Sequence, residues 1–433
     1  MMEKPRIIPM KTITSENPTC KFSQTFKFAQ AVCPSTYCAQ SDTHSMHIYD
    51  NATDVPFDEW RALVPETKLF LRYTYLSTIE AVNPDMDFRY VMVKKGDKAV
   101  AFAYFQLLRF DGNRMQGIGD DDQKEGGIGA KVRFWFGRRL RRVAERIKVR
   151  VMICGNVFMT GEHGFHHSPE VNPTEAYQLL TEAITQVQKE ERKNGRIWAT
   201  ILKDYYPGET HPEEVLKTSR FHQFKVEPNM LMDIRPDWES FEDYMGAMAS
   251  KYRTRVKSAY KKSKTLEAKE MSLEEMEEAS DKMYALFKEV VGSSKFSMKE
   301  ANEAYFIELK RKLGNRFIVT GYYTEGELVA FKTVIRTGKE LEAHFIGYKK
   351  ELNRSHKVYQ RILYDIVRKG IAYKAHQISF ARTAMEIKTT IGAVAHDMYC
   401  YIKVNNRILN RIVRPVIQNI KMEPWTPRHP FKN

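Results

Sequence analysis

Arg316-Phe-Ile-Val-Thr-Gly-Tyr-Tyr-Thr-Glu-Gly-Glu-Leu-Val-Ala-Phe-Lys-Thr-Val-Ile335 reads as two apolar, β-branched runs folded back on each other at Glu325-Gly326-Glu327, a hairpin. Leu341-Glu-Ala-His-Phe-Ile-Gly347 supplies a third strand. Ser355 stands where it can cap a helix carrying Val358, Ile362, Leu363, Ile366, Val367 and Ile371 on one face, and Gln377-Ile-Ser-Phe-Ala381 is the strand after it. The same order occurs earlier. Phe88 to Lys95 and Lys98 to Leu108 flank a Gly96-Asp97 turn, and Val149-Arg-Val-Met-Ile-Cys154 is a third strand. A helix starting at Pro173 shows one apolar stripe, and Arg196 to Leu202 is the closing strand. Hairpin, strand, loop, helix, strand twice over predicts an α/β fold of two tandem modules, each a central mixed sheet flanked by helices.

The expected divisions are an extension over 1–47, a first module over 48–229 with a basic insertion at 109–148, and a second over 230–433 that carries the chemistry. With 433 residues, 42% apolar and 28% charged, the chain has enough for two buried cores and too much apolar content for wholesale disorder. No uninterrupted run of about 18 apolar residues suggests a membrane span. The N-terminus lacks an export-signal pattern, and five scattered cysteines argue for reduced thiols, so a cytoplasmic location is expected, with a possible peripheral seat on the inner membrane face. Cys33, Cys38, His44 and His47 have no standard zinc spacing, and no metal is expected. The net charge of +15 favours anionic partners: an acidic acyl carrier protein, an anionic membrane surface or, less favoured, tRNA. Two stretches concentrate that charge, Lys251 to Lys264 and the aromatic-interleaved Lys131 to Arg150, the latter suited to a membrane or a carrier protein or else a solvated helix face.

The basic opening of the second module, its hairpin, strand and long helix, and then Ser379-Phe-Ala-Arg-Thr-Ala-Met-Glu-Ile-Lys-Thr-Thr-Ile-Gly-Ala393 together resemble a known family. It is the GCN5-related N-acetyltransferase (GNAT) superfamily, in the tandem branch related to Fem-type peptidoglycan aminoacyl transferases. The matching positions are Phe380, Ala381, Arg382, Lys388, Gly392 and Ala393, and the likeness spans residues 55–410. It implies two acetyltransferase-like modules, an acyl donor and an amine acceptor. One feature departs from the family: the loop before the second long helix, Leu352-Asn-Arg-Ser-His-Lys-Val-Tyr359, has no glycine to let a pyrophosphate approach the backbone. Arg354, Ser355 and Lys357 remain as phosphate contacts, and the donor is expected to be acyl-CoA or an acyl carrier protein.

Acyl transfer to an amine needs a base, a donor to the oxyanion and an acid for the leaving group. Glu342 and His344 lie two apart on one face of a strand and are candidates for the proton relay, against the alternative of a solvated carboxylate and a hydrogen-bonded histidine. Tyr359 is a candidate acid, or packing. Arg382 and Lys388 can hold a phosphate or carboxylate of the substrate, or simply be solvated. In the first module Asn156, His163 and His166 sit in a glycine-rich loop after a strand, as substrate contacts or as a structural turn. The expected activity is N-acyl transfer to an amine-bearing small molecule or lipid. The rivals are tRNA-dependent aminoacyl transfer to a cell-wall precursor and a non-catalytic module that binds lipid or nucleic acid.

Overall fold

The computed structural model describes residues 6–9, 44–111, 148–208, 213–292, 299–418 and 424–432. Most of the basic aromatic stretch 131–150 lies outside them, as do Cys33 and Cys38. The strands are β1 (Arg6–Pro9), β2 (His44–Tyr49), β3 (Asp87–Lys95), β4 (Lys98–Asp111), β5 (Lys148–Cys154), β6 (Phe165–His167) and β7 (Ile197–Tyr205). They continue as β8 (His222–Asp233), β9 (Glu267–Glu270), β10 (Phe317–Thr324), β11 (Glu327–Thr337), β12 (Glu340–Tyr348), β13 (Gln377–Ser379) and β14 (Val394–Val404). Among the described residues they form one mixed sheet in the order β1-β2-β3-β4-β5-β7-β14-β8-β13-β12-β11-β10-β9, with β6 pairing β4 on the side.

Both expected hairpins and their crossover helices are present. β3 and β4 turn at Gly96, whose φ of +60° suits glycine, and the helix Pro173–Glu190 connects β5 to its parallel partner β7. Asn172 caps that helix, accepting from Glu175 N at 2.9 Å, and Pro173 costs no hydrogen bond in its first turn. β10 and β11 form the second hairpin, and the helix Val358–Ala372 connects β12 to β13.

The sequence did not disclose how the halves join. β14, near the end of the chain, pairs with β7 on one edge and with β8 on the other, so the last strand stitches the first half to the second. The expected 229/230 boundary falls inside β8. The apolar core is shared as well. One cluster contains Trp60, Tyr75, Tyr90 and Phe102 of the first half together with Phe287, Tyr305, Phe306 and Phe331 of the second. Two further clusters lie on the other face, one under Pro173–Glu190 and one under Val358–Ala372. Between the halves, Trp238–Lys264 holds two helices, Phe241–Ala247 and Ser250–Lys262, and Leu273–Val291 divides at Ala279. A bridge from Met248 to Phe431 and a bond from Ala249 N to Pro430 O hold the first break open.

Candidate active site

β13 runs parallel to β12 for three residues, with Glu340 opposite Gln377, Leu341 opposite Ile378 and Glu342 opposite Ser379, and there the pairing stops. β12 continues to Tyr348, held on its other edge by β11. The chain leaving β13 follows β8 instead: Phe380 N donates to Met230 O (2.8 Å) and Met230 N to Ala381 O (3.2 Å). Two parallel strands therefore part at Glu342, and among the described residues the edge of β12 from Ala343 onward has no strand partner on that side. A bulge accompanies the parting, because Thr333 alone opposes both His344 and Phe345. The Thr333 hydroxyl takes the place of the ladder there, accepting from Phe345 N at 2.8 Å.

Glu342 stands at the apex of the slot. Burial pushes its carboxyl up to about 8, with neighbouring Glu340 adding to the rise and a bond with the Ser379 hydroxyl opposing it. His344 shares the face, as the strand period requires, but both ring nitrogens are engaged: Nε2 with the Tyr305 hydroxyl (3.0 Å) and Nδ1 with that of Thr333 (3.2 Å). Burial holds it down to about 3, so it is a neutral positioning group for the bulge and a poor base. Tyr359 packs with Tyr348 on the opposite face of β12, and burial raises its phenol, which keeps its proton.

The donor-side loop differs in detail from its sequence reading. Ser355 lies inside the short helix Lys350–His356, and its hydroxyl meets Leu352 O (3.3 Å) and His356 Nδ1 (2.8 Å), so it does not cap Val358–Ala372. Lys357 precedes that helix instead, in the left-handed region at φ +51°, where a glycine would ordinarily stand, and Asn353 Oδ1 accepts from Tyr359 N at 3.0 Å. Lys357 Nζ reaches Ser258 Oγ (3.1 Å) on the basic helix Ser250–Lys262, and Arg255 and Lys262 stand close enough to depress it, after burial. Arg354 is exposed beside it. Gln360 Oε1, one turn into the helix, is buried with no partner. A slot with an unpaired strand edge, an orphaned amide acceptor and a cluster of cations fits an acyl arm that carries amides and phosphate, although the backbone approach that glycine allows is missing.

Lys388 is buried in the protein. Its ammonium donates to Phe380 O (2.6 Å), Ala381 O (3.3 Å) and Arg382 O (2.6 Å), and burial lowers it to about 7. This corrects the reading of Lys388 as a substrate ligand: it is the internal pin of a loop in which Ala381, Thr383 and Ala384 all have positive φ. Arg382 reaches the wholly buried Asp204 of β7, Nη1 to Oδ1 at 3.3 Å. Asp204 is itself bonded to buried Lys203 and to Gly161 N (3.2 Å). Sequence reasoning missed Lys203, Asp204, Asn229 and Ser379. The only signal was a Lys-Asp pair ending an otherwise apolar strand.

Among the described residues the first half shows no equivalent slot. β5 and β7 stay paired from Arg150 opposite Ile197 to Cys154 opposite Leu202, the end of β5. The glycine-rich loop that follows packs back over β7: Lys203 Nζ donates to Met159 O (2.7 Å), and a Cβ on Gly155 would fall 2.8 Å from Lys203 Cβ. Asn156 is fully buried, its amide bonded to the Tyr75 hydroxyl (3.1 Å) and its carbonyl to Phe158 N (2.9 Å). Burial lowers His163 and His166 to about 4, and His163 Nε2 meets Thr160 O (3.0 Å). Asn156 and His163, expected as substrate contacts, hold the loop's own shape, while His166, expected likewise, lies in β6 opposite Phe102 of β4. Among the described residues no group of three His, Cys, Asp or Glu can hold a metal. Nor is any helix among them long and apolar enough to cross a membrane.

Residues 250–389, which contain the slot, match the acetyltransferase (GNAT) domain family. The whole chain resembles FemX in fold, at 11% identity and a TM-score of 0.50, over 83% of this chain and 98% of FemX. It is also similar to a tandem GNAT protein from the clavulanic acid biosynthesis pathway (9% identity, 83% and 99% covered, TM-score 0.46). A third likeness is to the C-terminal domain of a putative lysylphosphatidylglycerol synthetase from Agrobacterium fabrum (9%, 73% and 84%, 0.41). At these identities the likeness is one of fold. No curated protein matches the chain in sequence.

Proposed function

We propose that the GNAT domain of this protein moves an acyl group from a carrier-bound donor, acyl-CoA or an acyl carrier protein, to the nitrogen of an amine. The observation that carries the reading is the parting of β12 and β13 at Glu342, which leaves one strand edge able to receive an extended arm by backbone hydrogen bonds. Phosphate on that arm would meet Lys357 and Arg354, with Arg255 of the neighbouring helix behind them. The exposed Lys251, Lys257, Lys261 and Lys262 along that helix suit an acidic carrier protein. Since β5 and β7 do not part, the reaction is assigned to the second half alone, and the first half serves as its partner wall.

In the reaction the amine nitrogen attacks the acyl carbonyl, an N–C bond forms, and the carbonyl electron pair moves to oxygen. The nitrogen's proton passes to Glu342, whose carboxyl near 8 is matched to that task. Collapse of the intermediate breaks the C–S or C–O bond, and the proton taken up by Glu342 leaves with the departing thiol or alcohol.

A second reading, aminoacyl transfer from tRNA, is favoured by the resemblance to FemX and by the glycine-free loop. Incubation with acyl-CoA or charged tRNA, followed by thiol release and by amide formation with and without ribonuclease, separates the two. Thiol release that is dependent on amine and lost in Glu342→Gln supports the first, and ribonuclease-sensitive transfer supports the second. If neither donor is consumed, both fail.

A further inference from the structure

The helix Arg407–Gln418, Arg-Ile-Leu-Asn-Arg-Ile-Val-Arg-Pro-Val-Ile-Gln, has three arginines and no acid, and it carries two apolar faces where its packing needs one. At about 100° per residue, Asn410 and Ile417 fall on one side of it, and both are buried. Ile408, Ile412 and Pro415 fall on the opposite side, within about 60° of one another. Ile408 is 73% exposed and Ile412 52%. Arg407, Arg411 and Arg414 form a second exposed row, about a quarter-turn from the isoleucines.

The fold fixes which side faces out. Asn406 Oδ1 accepts from Ile408 N and Leu409 N, both at 3.0 Å, and so starts the helix. Asn410 Oδ1 accepts from Val404 N (2.8 Å), its Nδ2 donates to Arg220 O (3.0 Å), and His222 Nε2 meets its carbonyl (3.0 Å). These bonds hold the Asn410 side inward, onto the end of β14 and the start of β8. Trp198 lies just ahead of the helix: its indole is exposed, and its carbonyl accepts from Asn405 N (2.8 Å). Trp198, Ile408 and Ile412 are thus three of the six large apolar side chains exposed among the described residues. None of the three arginines has an ion pair among those residues. One exposed isoleucine is ordinary on a protein surface, but an apolar stripe beside a row of unpaired cations marks a contact surface.

The chemistry of the two rows decides the occupant. The stripe is convex, on the outside of a helix about 18 Å long, and needs apolar material that can close around it. The arginines need anions beside that material, at a level their long stems can reach. An anionic phospholipid leaflet supplies both, with acyl chains under the isoleucines and phosphates at the guanidinium level. Pro415 has no N–H for Arg411 O, and that carbonyl needs water, which sets the helix at the headgroup boundary and no deeper. We propose that Arg407–Gln418 lies on an anionic phospholipid leaflet, with Ile408 and Ile412 entering the acyl layer and Arg407, Arg411 and Arg414 meeting the phosphates. This surface is distinct from the Lys131 to Arg150 stretch, and the inference stands apart from the transferase reading, because binding a leaflet needs neither donor nor amine.

Flotation of the full chain with phosphatidylcholine vesicles, with and without about 30% phosphatidylglycerol, tests this. The expected result is retention on the anionic vesicles about ten-fold or more above that on neutral ones, weakening as salt is raised. Ile408→Ser combined with Ile412→Ser should lower retention about ten-fold, with an unchanged circular-dichroism spectrum. Arg407→Gln, Arg411→Gln and Arg414→Gln together should remove the preference for anionic lipid. Lys251→Gln, Lys257→Gln, Lys261→Gln and Lys262→Gln together, on the other basic helix, should leave retention within about two-fold. Ile412→Trp reads depth: its added fluorescence should shift to shorter wavelength on anionic vesicles and be quenched by lipid brominated in the acyl chains. The inference is overturned by absence of retention, by retention indifferent to both isoleucines or lost with the four lysines instead, or by an Ile412→Trp signal blind to brominated lipid. A dimer in sedimentation equilibrium that the isoleucine pair abolishes, without vesicle retention, would also overturn it and assign the stripe to a second copy of the chain. Failure of acyl transfer with retention intact would overturn the transferase reading only.

Discussion

Glu342 links chemistry to stability at a single residue. In the unfolded chain its carboxyl ionises near 4.5, whereas in the fold it holds its proton to about 8. Its contribution to stability is therefore complete below pH 4.5 and is lost as the pH rises through 8, because the unfolded chain gains by ionising over a range where the folded one does not. Glu342→Gln, neutral at every pH, should be more stable than the native chain at pH 8.5 by on the order of 4 kcal/mol, while equalling it at pH 4.5. Chemical denaturation at the two pH values measures this, and an equal gain at both would refute it. The same variant should lose about 10²–10³-fold in kcat/KM, together with the limb of the pH profile that climbs toward 8. Strand alternation made the pairing of Glu342 with His344 legible in the sequence. It did not reveal that Tyr305 and Thr333 occupy both nitrogens of His344, since those partners come from a distant helix and from the neighbouring strand.

At the scale of elements, the slot depends on how β12 is held from its other side. The helix Ser280–Val291 lies against β12 at Gly347, where a Cβ would come within 2.7 Å of Phe287 N, 2.8 Å of Leu286 C and 2.3 Å of Phe331 Cε1. Backbone atoms cannot turn aside as a side chain can. Gly347→Ala should thus push the helix off the strand and cost roughly 2 kcal/mol or more. A midpoint in urea within error of the native value would show that the contact yields more easily than the distances imply. The hairpins and both long helices were readable, because each hairpin carries its own turn and each helix its own apolar period, although Ser355 is not the cap of the second. The end of β13 and the breaks in the helices were not. β13 is three residues long, with its end set by where the next residues bond to β8, and Trp238–Lys264 is interrupted by contacts with Phe431 and Pro430 from the far end of the chain.

For the whole molecule, the duplicated pattern suggests two bodies that could be separated, and the architecture denies it. β14 lies between β7 and β8, so removing it strips hydrogen-bond partners from both halves, and one aromatic core is built from Trp60, Tyr75 and Phe102 with Phe287, Tyr305 and Phe331. A buried chain of hydroxyls repeats the union in polar form: Asn156 bonds Tyr75, Tyr75 bonds Tyr305, and Tyr305 bonds His344 at the bulge. Cooperative units follow shared burial more closely than they follow sequence repeats. Calorimetry of the full chain should accordingly give one transition whose van't Hoff and calorimetric enthalpies agree, and truncation after Ala393 should remove that transition altogether. Two resolved transitions, or a truncated chain that keeps half the enthalpy, would mean that the halves fold independently. Asp204 would then have to find Arg382 across a loose joint, and their ion pair could not hold a fixed geometry.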